Sequence, residues 1–206
     1  MTVRRTLTAI IILLAAAAMT GAAFADSHAV KRIRAERWHV WWGQSTIGKT
    51  GATLWSQTPT SPDETHSSLI TSSSTWGDQT ISFTTTTLDQ LREGSTPNPW
   101  EVGWVMFHFR DLANYYWFMV KTNGFELGKK QGSDTQIFLA TGSTPSRAVG
   151  TSYQVRIQAQ GGRIRVFLDG SQVVDYTDSS PLLSGSVGLY EEDSKVTFGN
   201  VSVSAL

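Results

Sequence analysis

The stretch WEVGWVMFHFRDLANYYWFMVKTNGFELGK, residues 100–129, decides how this chain folds. Nine of its thirty residues are aromatic, with a His, an Arg, two Lys and two Glu threaded among them. A half-buried strand normally alternates apolar with polar side chains. Here both alternation faces are large. Val105, Phe107 and Phe109, followed past a loop by Tyr116, Phe118 and Val120, form a purely apolar set that reads as core. Trp104, Met106, His108 and Arg110, with Tyr115, Trp117, Met119 and Lys121, form a second set that is aromatic with charged tips. Asn123-Gly124 is a strong hairpin signal. It sets Lys121 opposite Glu126 and Lys129 opposite Phe118, with the Lys129 amine expected to snorkel out at the sheet edge.

The rest of the chain is also strand-like. Short runs of Val, Ile, Thr and aromatics alternate with Gly, Asn, Asp, Ser and Pro, and no segment carries a helical stripe. The pattern predicts strands near 37–42, 67–72, 79–87, 101–110, 115–121, 125–129, 136–141, 152–160, 163–169, 172–177, 185–190 and 195–204. Gly161-Gly162 is a two-residue turn that pairs Gln160 with Arg163, Ala159 with Ile164 and Ile157 with Val166. That register puts Val155, Ile157, Ala159, Ile164, Val166 and Leu168 on one face, with glutamines and arginines on the other. Asp169-Gly170 makes another tight turn, and the change of phase at Gly199-Asn200 predicts a β-bulge. One sheet therefore has a polar back and another a sticky one. The expected fold is all-β, a two-sheet antiparallel jelly-roll sandwich whose concave, aromatic-lined sheet faces a ligand.

Residues 1–25 read as an export signal. Arg4-Arg5 precede an apolar run from Ala9 to Met19, and Ala23-Phe24-Ala25 fits a small-x-small cleavage site. Residues 26–36 follow as a charged leader or first short strand, and 37–206 as a single sandwich domain. Cleavage would take two arginines from the 17 cations and none of the 17 acids, leaving a charge near minus two. Such a balance offers nucleic acid or anionic membrane no electrostatic hold. Without cysteine, the chain has no disulfide and no thiolate chemistry. These features point to a secreted or periplasmic protein, expected as a monomer, held together by its core.

Several segments resemble secreted bacterial members of the concanavalin A-like lectin/glucanase superfamily, of the family 16 glycoside hydrolase-like and 3-keto-disaccharide hydrolase-like groups. They are Trp100 to Lys129, with Trp104, His108 and Lys121-Thr-Asn-Gly-Phe-Glu-Leu-Gly-Lys129; Ser68 to Asp78; Phe167-Leu-Asp-Gly170; and Ser184 to Tyr190 with Phe198 to Val201. The likeness runs from about Trp38 to Val203. It implies a jelly roll and carbohydrate as the ligand class, while the fold itself hosts lectins, hydrolases, lyases and adhesion modules alike. The chain departs from family 16 in lacking the Glu-x-Asp-x-Glu strand that carries nucleophile and acid.

Three functions stay open on these residues. The first is a lectin-like domain binding a polysaccharide or glycan through Trp104, His108, Arg110, Tyr115, Trp117, Lys121 and Glu126. Trp104, Trp117 and Tyr115 would stack on sugar rings, and the charged groups would select hydroxyls or an acidic sugar. The second is a glycosidase or polysaccharide lyase using Glu126, His108 and Glu192. The third is a structural or adhesive module. No cofactor is required. The resemblance adds a structural calcium, for which Glu191, Asp193 and Asn200 are candidate oxygen ligands; a solvated acidic loop is the competing reading of Glu191 to Asp193.

Overall fold

A computed structural model describes residues 31–32 and 38–206. The predicted signal and most of the leader lie outside the described residues. In chain order the strands are β1 (Lys31–Arg32), β2 (Trp38–Trp42), β3 (Gln44–Ile47), β4 (Ala52–Trp55), β5 (Ser67–Ser72), β6 (Gln79–Gln90), β7 (Gly103–Asp111) and β8 (Asn114–Lys121). They continue as β9 (Gly124–Gln131), β10 (Ile137–Gly142), β11 (Tyr153–Gln160), β12 (Arg163–Leu168), β13 (Ser171–Thr177), β14 (Ser186–Glu192) and β15 (Ser194–Ala205). Among the described residues there is no helix. One sheet runs β13-β12-β11-β6-β15-β4-β3, with β1 paired to β15, and the other runs β10-β9-β8-β7-β14-β5-β2. All pairings are antiparallel, and the architecture is a jelly-roll sandwich.

The twelve strands expected from the pattern are present, and the Gly161-Gly162 hairpin has the predicted register. The bulge at Gly199-Asn200 is present too, with Asn200 at φ 53° and the β15–β6 register broken there. β3 and β4 escaped the pattern. They are four residues each and mostly polar or small, joined by a turn in which Gly48 N–H donates to Gly51 O at 2.8 Å. Between the sheets lies the main core. Val105, Phe107, Tyr116, Phe118 and Val120 from one sheet meet Ile81, Phe83, Val155, Ile157 and Val166 from the other.

β7 does not keep one alternation along its length. His108 has φ 46°, and Phe107 and His108 together oppose the single residue Val187 on β14. This bulge swaps the two faces beyond it. Phe109, expected in the main core, instead joins Trp104, Met106, Tyr115, Trp117 and Met119 in a second apolar cluster on the outer face of the sheet. Gly185 makes room for the bulge, since a Cβ there would stand 2.3 Å from the carbonyl carbon of His108.

The β8–β9 hairpin also differs from expectation. Its turn residues are Thr122-Asn123, so Lys121 pairs with Gly124, and Lys129 faces Tyr116 rather than Phe118. Gly124 lies within the ladder because β10 passes against it; a Cβ there would be 2.0 Å from the Gly142 carbonyl oxygen. Lys129 does not snorkel. Its buried amine donates to Asp178 at 2.8 Å and to the Ser180 carbonyl at 2.9 Å, while Tyr116 Oη donates to the same Asp178 oxygen at 2.6 Å. Burial would raise the Asp178 carboxyl, but the bonds from Lys129, Tyr116 and the Ser180 N–H outweigh it and hold the group below its ordinary value.

Candidate functional site on the outer sheet face

The outer face of the β10–β2 sheet carries a groove in two adjoining parts. The first, of about 390 Å³, is lined by Trp100, Trp104, Met119, Lys121, Glu126, Gln136, Phe138 and Glu192. The second, of about 350 Å³, shares Trp104, Gln136 and Glu192 with it and continues past Tyr115, Tyr190 and Lys130 to Trp42. The first lies mainly over β7 to β10, and the second reaches the opposite edge strand β2.

The structure redistributes the residues expected to bind. Trp117 is 0% exposed and Trp104 only 5% exposed, so neither offers a free ring face. They form the floor, with ring centroids 6.1 Å apart, and Tyr115 lies buried beside them. The Trp117 indole crosses β9 over Gly128, where a Cβ would come within 2.2 Å of the ring. Its Nε1 donates to Glu126 at 3.1 Å. The other Glu126 oxygen accepts from Lys121 at 3.2 Å. Glu126 faces Met119 rather than Lys121, so this expected pair forms on the diagonal.

His108 and Arg110 line neither part of the groove. The bulge turns the His108 ring inward, where its nitrogens meet the carbonyls of Leu182 and Gly77, the latter at 2.8 Å. Burial, the largest influence, leaves this imidazole below its ordinary pKa despite the two carbonyls. Its role is to tie down the bulge. Arg110 is exposed and donates to the Ser184 carbonyl at 3.1 Å.

The accessible aromatic surface comes from residues the sequence pattern did not single out. Trp100 is 42% exposed, Phe138 58% and Trp42 36%. Trp42 Nε1 donates to Ser67 at 2.9 Å, and Trp41 Nε1 to Thr71 at 3.0 Å, so the indoles of this edge strand are held in place. The run Trp38-His-Val-Trp-Trp42 held a signal, because adjacent tryptophans at a strand end cannot both be core without a bulge. Such a shift occurs between Val40 and Trp42.

The acidic run Glu191 to Asp193 is neither a solvated loop nor a convergent metal centre. Glu192 lines both parts of the groove and accepts from Tyr190 Oη at 3.0 Å. Burial raises its carboxyl above the ordinary value, with Asp193 and Glu101 adding to the effect. Glu191 and Asp193 are fully buried. Asp193 is bonded to Arg92 at 2.6 Å and to His66 N–H at 2.6 Å, and Glu191 accepts from Ser194 N–H at 2.9 Å. Asn200 is exposed at the β15 bulge, beside Ser82 and Thr84. These three candidates do not fit a calcium ion together, and among the described residues no group of three His, Asp or Glu side chains is arranged to hold a metal.

The two antiparallel sheets and their strand order define a jelly-roll β-sandwich. The chain belongs to the 3-keto-alpha-glucoside-1,2-lyase-like domain family, whose model matches residues 34–204. Among solved structures it is similar to the carbohydrate-binding module CBM66 of Bacillus subtilis, at 24% identity and TM-score 0.67, covering 84% of this chain and 97% of that one. A putative glycosyl hydrolase from Parabacteroides distasonis aligns at 12% identity and TM-score 0.55, covering 83% and 89% of the two chains. The exoplasmic/lumenal domain of VIP36, solved with Ca²⁺ and Man3GlcNAc bound, aligns at 14% identity and TM-score 0.60, covering 86% and 90%. No curated protein matches the chain.

Proposed function

We propose that this protein is exported and binds a carbohydrate in the groove over β7 to β10. One observation carries the reading. Exposed Trp100 and Phe138 flank a buried apolar floor, while Lys121, Glu126, Gln136 and Glu192 surround the same space with donors and acceptors. A sugar ring presents the matching combination, an apolar C–H face edged by hydroxyls. The family match and the likeness to a carbohydrate-binding module support the ligand class. A glycan array followed by calorimetry tests it. Trp100→Ala keeps the main-chain carbonyl that accepts from Trp104 Nε1 at 3.0 Å, yet is expected to weaken binding about tenfold. Absence of binding to every glycan would overturn the reading.

A second reading, elimination, is favoured by the raised carboxyl of Glu192 inside this groove. In a 3-keto-glucoside the C2 proton is acidic because it lies next to the carbonyl. A carboxylate could take that proton, the electron pair would form the C1–C2 double bond, and the C1–O bond would break. The proton taken by Glu192 can then return to the departing alcohol oxygen, so that the step balances without a second acid. A carboxyl titrating closer to neutrality is the better base. Incubation with a 3-keto-α-glucoside should then release alcohol and an ultraviolet-absorbing unsaturated ketone, with Glu192→Gln slower by about 10²-fold or more. Release no faster than in buffer alone would exclude it.

A further inference from the structure

We infer that the groove takes a neutral, linear oligosaccharide laid across the strands, reaching from Trp100 and Phe138 past Lys130 on β9 to Trp42 on the opposite edge strand β2, so that Lys130 and Trp42 meet different sugar units of one chain. The inference rests on the carbohydrate-binding reading and adds the ligand's length and charge.

The two parts of the groove repeat one chemistry around a shared centre. The first has exposed Trp100 and Phe138 and the Lys121–Glu126 pair at 3.2 Å. The second has partly exposed Trp42, buried Tyr115, and Lys130 with Asp134 at 3.5 Å. Trp104, Gln136 and Glu192 belong to both. A site with repeated aromatic and donor–acceptor sets suits a ligand with repeating units.

Scale supports the same conclusion. Phe138 lies on β10 and Trp42 on β2, the two edges of a sheet seven strands wide. Six inter-strand steps of about 4.8 Å put them roughly 29 Å apart along the sheet. That is far beyond the reach of one sugar ring. Both rims can be used together only by a chain.

Charge then narrows the class. Lys121 and Lys130 are the cations among the groove-lining residues, and each has its own carboxylate within 3.5 Å. Glu192 adds an acid without adding a cation. A uronic or sulfated chain would therefore meet no surplus positive charge and would meet one surplus carboxyl. Hydroxyls, which both donate and accept, suit paired Lys and Glu or Asp better.

The test is calorimetric titration of the full chain with gluco-, xylo- and fructo-oligosaccharides of one to six units, with oligogalacturonates as the anionic comparison. Affinity for one neutral series should rise about tenfold between one and four units. Trp42→Ala, checked for an unchanged melting profile, should bring the four-to-one affinity ratio close to unity. Lys130→Met, which spares the indole and its bond to Ser67, should also lower that ratio. Equal affinity for one and four units, or preference for the oligogalacturonates, would overturn the inference while leaving carbohydrate binding intact. A ratio unmoved by both variants would overturn the extension of the ligand to Lys130 and Trp42. No binding to any series would overturn both readings.

Discussion

Replacing Arg92 with Met is expected to cost more stability than any other single change discussed for this protein. The guanidinium is buried, and it donates through Nε to Glu101 at 2.6 Å and through Nη2 to Asp193 at 2.6 Å. It also donates to the carbonyls of Ser61 at 2.8 Å and Glu64 at 3.0 Å, binding the loop before β5 to the β14–β15 turn. Glu101 and Asp193 are both 0% exposed, and their charge is balanced through this one side chain. Removing one partner of a buried ion pair typically costs about 3–5 kcal/mol, because the remaining charge has neither water nor counter-ion. Here two carboxylates are stranded at once. A loss of about 4 kcal/mol or more should lower the melting temperature by roughly 10–15 °C, a large share of a domain's usual stability. Arg92→Lys should recover only part of it, since a point charge cannot fork between two acids and two carbonyls. Adding Glu101→Gln and Asp193→Asn to Arg92→Met should restore stability relative to the single variant. An Arg92→Met protein melting within about 2 °C of the parent would remove the basis for this account.

Glu191→Gln should change how stability depends on pH. Glu191 is fully buried, with one carboxyl oxygen held by Ser194 N–H at 2.9 Å and the other without a partner. Burial pushes its carboxyl up to about 7, against the opposing bonds from Ser194 and Ser56. The folded state therefore holds this proton more tightly than the unfolded chain, whose value lies near 4.5. The sign follows from linkage. The contribution is fully present below pH 4.5, falls as pH rises, and is lost above about 7. The difference of about 2.5 pH units corresponds to roughly 3 kcal/mol. Gln keeps the acceptor oxygen and cannot ionise. Urea midpoints should therefore be similar for parent and variant at pH 4 and diverge towards pH 8, with Glu191→Gln the more stable. Because other groups titrate in the same range, the difference between the two proteins is the quantity to read. Parallel profiles would contradict the assignment.

What could be read from the chain depended on how local the cause was. The Gly161-Gly162 hairpin is set by its turn glycines and by alternation within fifteen residues, and it is as expected. The two faces of β7 and β8 were legible for the same reason as far as Phe107. The inversion at His108 was not, because its causes are Gly185 and the carbonyls of Gly77 and Leu182, all distant in sequence. Lys129 finds Asp178 forty-nine residues away, so no local pattern announces a buried pair. The groove was half legible. Trp104, Lys121, Glu126 and Glu192 could be placed by parity or charge, whereas Trp42 and Phe138 belong to opposite edge strands that only sheet order brings to one surface. The aromatic run was correctly divided into two faces, yet its tryptophans prove to be the floor of the groove and its rim comes from elsewhere.

The bulge at His108 gives β7 a property that reaches beyond packing. Before it, odd-numbered residues face the other sheet; after it, that parity is reversed, as Phe109 in the outer cluster records. Opposite phases are thus joined within one strand at a residue held by two carbonyls. Straightening the strand there without removing a residue would exchange the inner and outer surfaces of everything that follows on it. The chain's length between Phe107 and Asp111 is consequently as much a part of the fold as the identity of its side chains.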